Sequence, residues 1–300
     1  MWDGPYPQKP HVGLTAAALA PSPPRAHLAG MTQPRPAVPP APRTYPGVNW
    51  IGVQTLYLRE VRRFWKVGMQ TVAAPVVTTL LYMMVFVVAV GGARPSIQGV
   101  SFAEFVAPGL IMMAIMNNAF ANASSSLIQA KVMGTATDFL TPPLNAMELM
   151  AGFALGAATR GMVVGVITAL CVMPFAPLGF AQVGASLYFG VMASLLMGLV
   201  GVLAGLWAEK FDHLAAVQNF VVMPMTFLSG TFYLVGNLPE PFATASHFNP
   251  MFYMIDGFRY GFIGRAEGDL WVGAAITAAI TAVLALLAWQ VFRTGWRLKS

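Results

Sequence analysis

Residues 71–90 read TVAAPVVTTLLYMMVFVVAV and contain no charged side chain. A helix of about 20 apolar residues is long enough to cross the hydrocarbon core of a bilayer. Five more stretches have a similar length and are almost free of charge: Phe105–Leu127, Leu149–Met173, Val183–Trp207, Leu214–Tyr233 and Trp271–Phe292. The pattern predicts an all-α integral membrane protein with six transmembrane helices.

The composition agrees with this prediction. Charged residues make up 9% of the chain and hydrophobic residues 57%, and the mean hydropathy is +0.64. Soluble domains carry about 25% charged residues, so the chain has too few to cover a soluble core. We expect the bilayer to be its surroundings. The net charge of +6 indicates topology rather than a nucleic-acid partner.

Basic residues are unevenly distributed between the two sides of the six predicted spans. Thirteen Lys and Arg residues fall on the side of the N-terminus, and only Arg94, Arg259 and Arg265 fall on the other. Because cytoplasmic loops carry the excess of Lys and Arg, both termini are predicted to be cytoplasmic.

The first 47 residues differ from the remainder. They hold 12 of the 23 prolines and few residues that could form a core, which is typical of a disordered tail. The predicted organisation is therefore a Pro-rich cytoplasmic tail at residues 1–47 and a membrane domain at residues 48–300. Met31 is an alternative translation start to Met1, and a start there would remove the first thirty residues of this tail.

Val48–Val67 is predicted to be an amphipathic helix lying in the membrane interface, because an aromatic-rich apolar stripe that includes Trp50 runs opposite a basic stripe. The basic residues are Arg59, Arg62, Arg63 and Lys66. Two roles remain open: a juxtamembrane anchor, or a lever that joins a cytoplasmic partner to the first span.

Arg160 is the one formal charge deep inside a predicted span. A charge near the bilayer centre costs at least ~2.5–3.5 kcal/mol, so such a residue faces a partner or a cavity. We expect its partner among the Asn and Ser side chains of the second span. Structural anchoring and a place in a translocation path are both open.

Two connections between spans carry further signals. The cytoplasmic loop Ile128–Glu148 contains the apolar Phe139 and Leu140, which favours either a short docking helix or a loop folded onto the bilayer surface. The external segment Tyr233–Leu270 is too apolar for a flexible loop and too interrupted to span, so we predict re-entrant or interfacial half-helices. There, Asp256 and Arg259 are expected to pair at i,i+3 as a structural clamp.

The sequence lacks the common motifs for nucleotide hydrolysis and for metal binding. No phosphate-binding Gly-x-x-x-x-Gly-Lys-Ser/Thr run and no His-Glu-x-x-His run is present, and Cys171 is the single cysteine. We therefore predict no catalytic residue, no metal ligand and no cofactor in this chain. Energy for any transport would come from a partner.

The order of these elements resembles that of ABC-2 type transporter permeases, in particular the bacterial inner-membrane transport permeases. The resemblance covers about Val48–Ser300. The matching strings are Pro108–Met113 (PGLIMM), Gln129–Lys131 (QAK), Asp138–Leu140 (DFL), Ala158–Gly161 (ATRG), Leu228–Tyr233 (LSGTFY), Ser246–Pro250 (SHFNP) and Tyr253–Gly261 (YMIDGFRYG).

The resemblance implies an ATP-driven exporter in the bacterial cytoplasmic membrane, in which two permease subunits, identical or sister chains, pair above two cytosolic ATPase subunits. Relatives move polysaccharides, lipid-linked glycans or hydrophobic drugs. By this resemblance the ATPase-coupling segment comprises Lys131, Asp138, Phe139, Leu140, Pro142, Pro143 and Leu144. The candidate path residues are Asn117, Asn118, Asn122 and Arg160, although hydrogen bonding between helices is an equally open role for the three asparagines. The external half-helices include Asn249, Pro250, Asp256 and Arg259.

Two other classes of function are weighed against this one. An ion-coupled secondary transporter needs a coupling carboxylate within the bilayer, and the predicted spans contain none. A membrane-embedded lipid-modifying enzyme needs a catalytic cluster, for which His247 and Asp256 are the available start.

Overall fold

The computed structural model describes residues 47–89, 96–135, 138 and 142–296, and these residues are mostly helical. The predicted tail lies outside the described residues except for Gly47. The helices are α1 (Trp50–Lys66), α2 (Gly68–Ala89), α3 (Phe102–Val132), α4 (Ala146–Val172), α5 (Val183–Trp207), α6 (Phe211–Val217), α7 (Met223–Phe227), α8 (Phe242–His247), α9 (Pro250–Ile263) and α10 (Leu270–Thr294). A short antiparallel hairpin of β1 (Ser96–Ile97) and β2 (Val100–Ser101) precedes α3.

Five of the described helices, namely α2, α3, α4, α5 and α10, are long and apolar enough to cross a membrane. They coincide with five of the six predicted spans. The remaining prediction, Leu214–Tyr233, falls on a shorter helical run in which a π-helical segment, Gln218–Val222, joins α6 to α7. This run is about 25 Å long at 1.5 Å per residue, against a hydrocarbon core of about 30 Å. A count of six spans stays a prediction.

Local sequence explains where the helices begin and end. Ser101 and Asn145 each form a capping box, with Glu104 and Glu148 respectively, at the starts of α3 and α4. Such boxes satisfy backbone N–H groups that the helix itself leaves unpaired. At the C-terminal end of α10, Gly295 adopts a left-handed conformation with φ 67°, which glycine reaches without steric cost.

Helices α3 and α5 form the centre of the bundle. In their most apolar stretches, 83% of the residues of α3 and 72% of those of α5 are buried, whereas the figures are 11% for α2 and 17% for α10. The exposed face of α2 is apolar, with Val77, Leu81, Met84 and Val88 all more than half exposed. A face of this kind suits lipid or another membrane-embedded surface.

Glycines on α4 and α5 let these helices approach α3 closely. A Cβ atom at Gly201 of α5 would lie 2.5 Å from the carbonyl oxygen of Phe120, and one at Gly161 of α4 would lie 2.9 Å from that of Ile115. Small residues at three- and four-residue spacing permit such contacts between membrane helices. The backbone of α3 is thus enclosed between α4 and α5.

The first prediction concerns this close approach. Gly201→Ala should lower the apparent melting temperature of the detergent-purified protein, because overpacking costs about 1–3 kcal/mol and a backbone atom cannot rotate away. Gly184→Ala on the same helix is the matched control, since no heavy atom lies within 4 Å of a Cβ there. Equal melting temperatures for the two variants would contradict the packing of α5 on α3.

The second prediction concerns the helical run Phe211–Phe227. In a Cys171→Ala background, single cysteines at Lys210 and Asn237, which are both exposed and flank the run, should react with a membrane-impermeant maleimide from opposite sides. Labelling of inverted and right-side-out vesicles measures this. Reaction of both cysteines from the same side would leave five spans and place the two termini on opposite sides.

Candidate functional site

A cavity of about 740 Å³ lies between α2, α3 and α6. Its apolar lining includes Leu110, Met113, Phe120, Phe211 and Leu214. Its polar lining includes Arg63, Gln70, Thr71, Thr78, Thr79, Asn117, Asn118, Ser124, Ser125, Arg160 and Gln218. Ligand pockets commonly have volumes of about 300–1,000 Å³ and combine apolar walls with a few polar groups. This cavity has both properties.

Three of the four candidate path residues line this cavity: Asn117, Asn118 and Arg160. The guanidinium of Arg160 donates to Oδ1 of Asn118 at 3.2 Å, so its partner is an amide of the second predicted span, as expected. Asn117 Oδ1 accepts from Nε2 of Gln218 at 2.9 Å. Gln218 is the first residue of the π-helical segment, and such segments are frequent at functional sites.

The fourth candidate, Asn122, is fully buried and is not among the described lining residues. Its side-chain oxygen and its backbone oxygen accept from the Nη2 atom of Arg63 at 3.0 and 2.6 Å. Asn122 therefore ties α3 to α1 behind the wall of the cavity.

Glu60 and Arg63 form a salt bridge on the inner face of α1. The carboxylate of Glu60 is fully buried, lies 3.1 Å from Nη2 of Arg63, and accepts from the hydroxyl of Ser126 at 2.8 Å. Arg63 also donates to Oγ of Ser125 at 3.2 Å. Arg63 was assigned to the basic stripe of α1, but its side chain turns inward because α3 supplies several oxygen acceptors.

The same face of α1 packs on α4. Its buried residues are Leu56, Glu60 and Phe64, and Gly152 and Gly156 of α4 lie against the first two. Arg59, Arg62 and Lys66 are exposed, and Trp50 has 74% of its surface exposed. The position of this exposed face in a membrane interface stays a prediction.

The proposed ATPase-coupling segment is described only in part, since Phe139 and Leu140 lie outside the described residues. At its start, Lys131 donates to the carbonyl oxygens of Leu206 and Ala208 at the end of α5. Asp138, Pro142 and Pro143 are exposed.

The end of this segment is bonded to the start of α1. The carboxylate of Glu148 accepts from the backbone N–H of Asn49 at 2.6 Å and from that of Asn145 at 2.8 Å. The side chain of Asn49 donates to the carbonyl oxygen of Pro143 at 3.3 Å, and Leu144 lies against Gly52. One carboxylate thus holds the first turns of α1 and α4 together.

The external half-helix prediction falls on α8 and α9. Asn249 caps α9, whose first residue is Pro250, and its amide also donates to the carbonyl oxygen of Met225 at 2.6 Å. The expected ion pair between Asp256 and Arg259 is absent: their charged atoms do not approach within 4.0 Å. Instead, each side chain is bonded to backbone groups.

Arg259 is buried and compensates for an unwound backbone. It donates to the carbonyl oxygens of Phe105, Gly230 and Thr231 at 3.2, 2.6 and 3.3 Å, and its guanidinium lies 4.0 Å from the centroid of the Phe105 ring. Asp256 accepts from the N–H groups of Glu267 and Gly268 at 2.9 Å each. Arg259 thus binds the backbone at residues 230–231 and in α3, and Asp256 binds the backbone just before α10.

His247 and Asp256 have separate partners. The imidazole of His247 meets the ring of Phe252 edge-on at 5.0 Å, while the carboxylate of Asp256 binds backbone N–H groups. The described residues hold no group of three His, Cys, Asp or Glu side chains suited to a metal ion.

Sequence reasoning missed Glu60, Glu148 and Gln218. Glu148 had a visible signal, since Asn145 three residues earlier completes a capping-box pattern. Glu60 lies three residues before Arg63, and this spacing is as typical of an exposed i,i+3 pair as of a buried one. Nothing in the sequence around Gln218 distinguishes it from other polar residues near a span end.

Known proteins similar in sequence to this chain include a membrane transport permease. Residues 52–263 match the family model for ABC-2 type transporters. The inner membrane transport permease YadH of Escherichia coli K12 is 33% identical over 254 residues, which cover 84% of this chain and 98% of that protein. Nodulation protein J of Rhizobium leguminosarum bv. trifolii is 26% identical over 232 residues, or 74% of this chain and 84% of that protein.

The matched family model and the transport permease relative identify this multi-helical membrane bundle as a membrane transport permease. This chain belongs to the ABC-2 type transporter family.

The third prediction concerns the Glu60–Arg63 salt bridge. Glu60→Gln should destabilise the purified protein by about 1–3 kcal/mol, because Arg63 loses its carboxylate in a largely desolvated site. We expect less than the full cost of breaking a buried pair, since 26% of the Arg63 side chain is exposed. Unfolding by sodium dodecyl sulfate measures the change.

A double-mutant cycle with Arg63→Gln should give a coupling energy above about 0.5 kcal/mol. The matched cycle pairs Glu60→Gln with Arg62→Gln, which removes an exposed guanidinium from the same helix and should give a coupling near zero. Equal coupling in both cycles would mean that Glu60 senses only the general charge of α1.

Proposed function

We propose that this chain is the membrane subunit of an ATP-driven exporter of the bacterial inner membrane, which couples to a separate cytosolic ATPase. Two permease subunits and two ATPase subunits would form the complex, with both termini of each permease in the cytoplasm. The similarity to an inner membrane transport permease over 98% of its length is the observation that carries this proposal.

The arrangement of the cytoplasmic ends of the helices supports the proposed coupling. Residues 131–144 are held at one end by Lys131, which binds the end of α5, and at the other by Glu148 and Asn49, which join α4 to α1. A push on this segment would therefore act on several helices together rather than on one flexible loop.

The link from α1 to the cavity supports the proposed path. Arg63 lines the cavity and is bonded to Glu60 on α1 and to Asn122 and Ser125 on α3. Movement of α1 would thus displace part of the cavity wall. In the proposed cycle, nucleotide-driven closure of the ATPases moves the coupling segment, and the cavity alternates its access between the two sides of the membrane.

The fourth prediction tests this function. Tagged protein, solubilised in detergent from its native membrane, should recover an ATPase subunit that mass spectrometry identifies by its phosphate-binding loop, together with nucleotide hydrolysis. The double variant Phe139→Asp and Leu140→Asp should lose this subunit, because charged side chains would disrupt an apolar docking contact.

The control is Phe248→Asp, which introduces one Asp in place of a side chain that is 85% exposed and that lies on the predicted external side. It should retain the ATPase subunit at the level of the unchanged protein. Recovery of the permease alone, without nucleotide hydrolysis, would overturn the proposed function. Equal loss in both variants would overturn the assignment of the coupling segment.

A further inference from the structure

The charge of the cavity lining is unbalanced. Its described lining residues include two arginines, Arg63 and Arg160, and no Asp or Glu. The charge of Arg63 is compensated by Glu60, which lies 3.1 Å away. Arg160 has a neutral amide, that of Asn118, as its side-chain partner. The cavity therefore presents close to one uncompensated positive charge.

Arg160 also has unused hydrogen-bonding capacity. Its Nε atom is buried and lacks a hydrogen-bond partner, although it belongs to a guanidinium that can present five donors. A buried donor without a partner costs free energy, and an unpaired charge near the middle of a membrane helix costs more. A ligand that supplies anionic oxygen atoms would remove both costs.

The apolar walls of the cavity indicate the chemistry of the rest of the ligand. Leu110, Met113 and Phe120 of α3 and Phe211 and Leu214 of α6 form an apolar surface next to the polar group around Arg160. Thr78 and Ala74 line the cavity and are exposed on α2, so the cavity reaches the surface of the subunit. An alkyl chain could therefore enter beside α2 while its head group lies at Arg160.

We propose that the cavity binds an amphiphile with an anionic head group, and that Arg160 is the residue that selects for the negative charge. Nη and Nε donors of Arg160 bind the anionic oxygens, Asn118 orients the guanidinium, and the apolar wall holds the alkyl chain. As a statement about transported cargo, this inference rests on the proposed function. As a statement about binding, it requires the permease alone.

Native mass spectrometry of the complete purified chain in an uncharged detergent tests the inference. The probes are phosphatidylglycerol, which is anionic, and phosphatidylcholine with the same acyl chains, which is zwitterionic. The unchanged protein should bind phosphatidylglycerol more tightly. Arg160→Gln should weaken that binding by about tenfold to hundredfold, the range expected when a hydrogen bond between charged groups is lost. It should weaken phosphatidylcholine binding much less, because the choline cation already offsets the phosphate charge.

Arg62→Gln is the matched control, because it removes one exposed guanidinium outside the cavity lining. It should keep the preference for phosphatidylglycerol, and Arg160→Lys, which keeps the charge, should retain most of it. Equal loss in Arg62→Gln and Arg160→Gln would overturn the inference, since the preference would then reflect surface charge. Equal binding of the two lipids by the unchanged protein would also overturn it.

A second variant keeps the test decisive if Arg160→Gln does not fold. Ala121→Phe places a ring in the cavity and leaves Arg160 in place, so it should displace the tightly bound phosphatidylglycerol. Undiminished binding in this variant would show that the lipid lies elsewhere. Displacement of phosphatidylglycerol by millimolar inorganic phosphate would contradict the need for an alkyl chain.

The outcomes separate this inference from the proposed function. Arg160-dependent lipid binding without recovery of an ATPase subunit would leave the anion site standing and remove the exporter. Recovery of an active ATPase subunit with no Arg160-dependent binding would do the reverse.

Discussion

The salt bridge between Glu60 and Arg63 lies within α1, the helix that precedes the membrane spans, and the hydrogen bonds of its two side chains join α1 to α3, the most buried of the described spans. A buried charge is stable only when it has a partner and enough hydrogen bonds, and here Ser126, Asn122 and Ser125 supply them. The position of α1 on α3 and α4 follows from this network. The wall of the cavity and the end of the proposed coupling segment in turn depend on the position of α1.

The end of the bundle that holds α8 and α9 depends on the same constraint, applied to the backbone. Within a membrane, every exposed backbone polar group must find a partner in the protein. The chain unwinds after Phe227, and Gly230 adopts a φ of 75°, so carbonyl groups become available that no helix satisfies. Arg259 donates to two of them. Helix α9 is therefore tied to the end of the preceding helical run by the side chain of Arg259 rather than by regular hydrogen bonding.

Much of this fold is predictable because hydropathy and capping act locally. Residues 71–90 predict α2 to within three residues at each end, and Val183–Trp207 matches α5. The partner of Arg160 was also predictable, because few polar groups are available at that depth. The inward turn of Arg63 and the partners of Asp256 and Arg259 were not predictable. Both depend on which backbone and side-chain oxygens lie across a helix interface, and periodicity along one helix carries no information about them.

The network also explains why the cavity carries a single uncompensated charge. Arg63 and Arg160 line the same space, and two unpaired guanidinium groups in a low-dielectric site would repel each other strongly. Glu60 reduces that repulsion by compensating Arg63, and it does so from α1, whose N-cap residue Asn49 donates to the carbonyl oxygen of Pro143 in the proposed coupling segment. The charge that faces the cavity is therefore set by the same helix that would transmit force to it. A displacement of α1 would change both the shape of the cavity and the electrostatic field at Arg160, so release of an anionic ligand could follow from the movement itself.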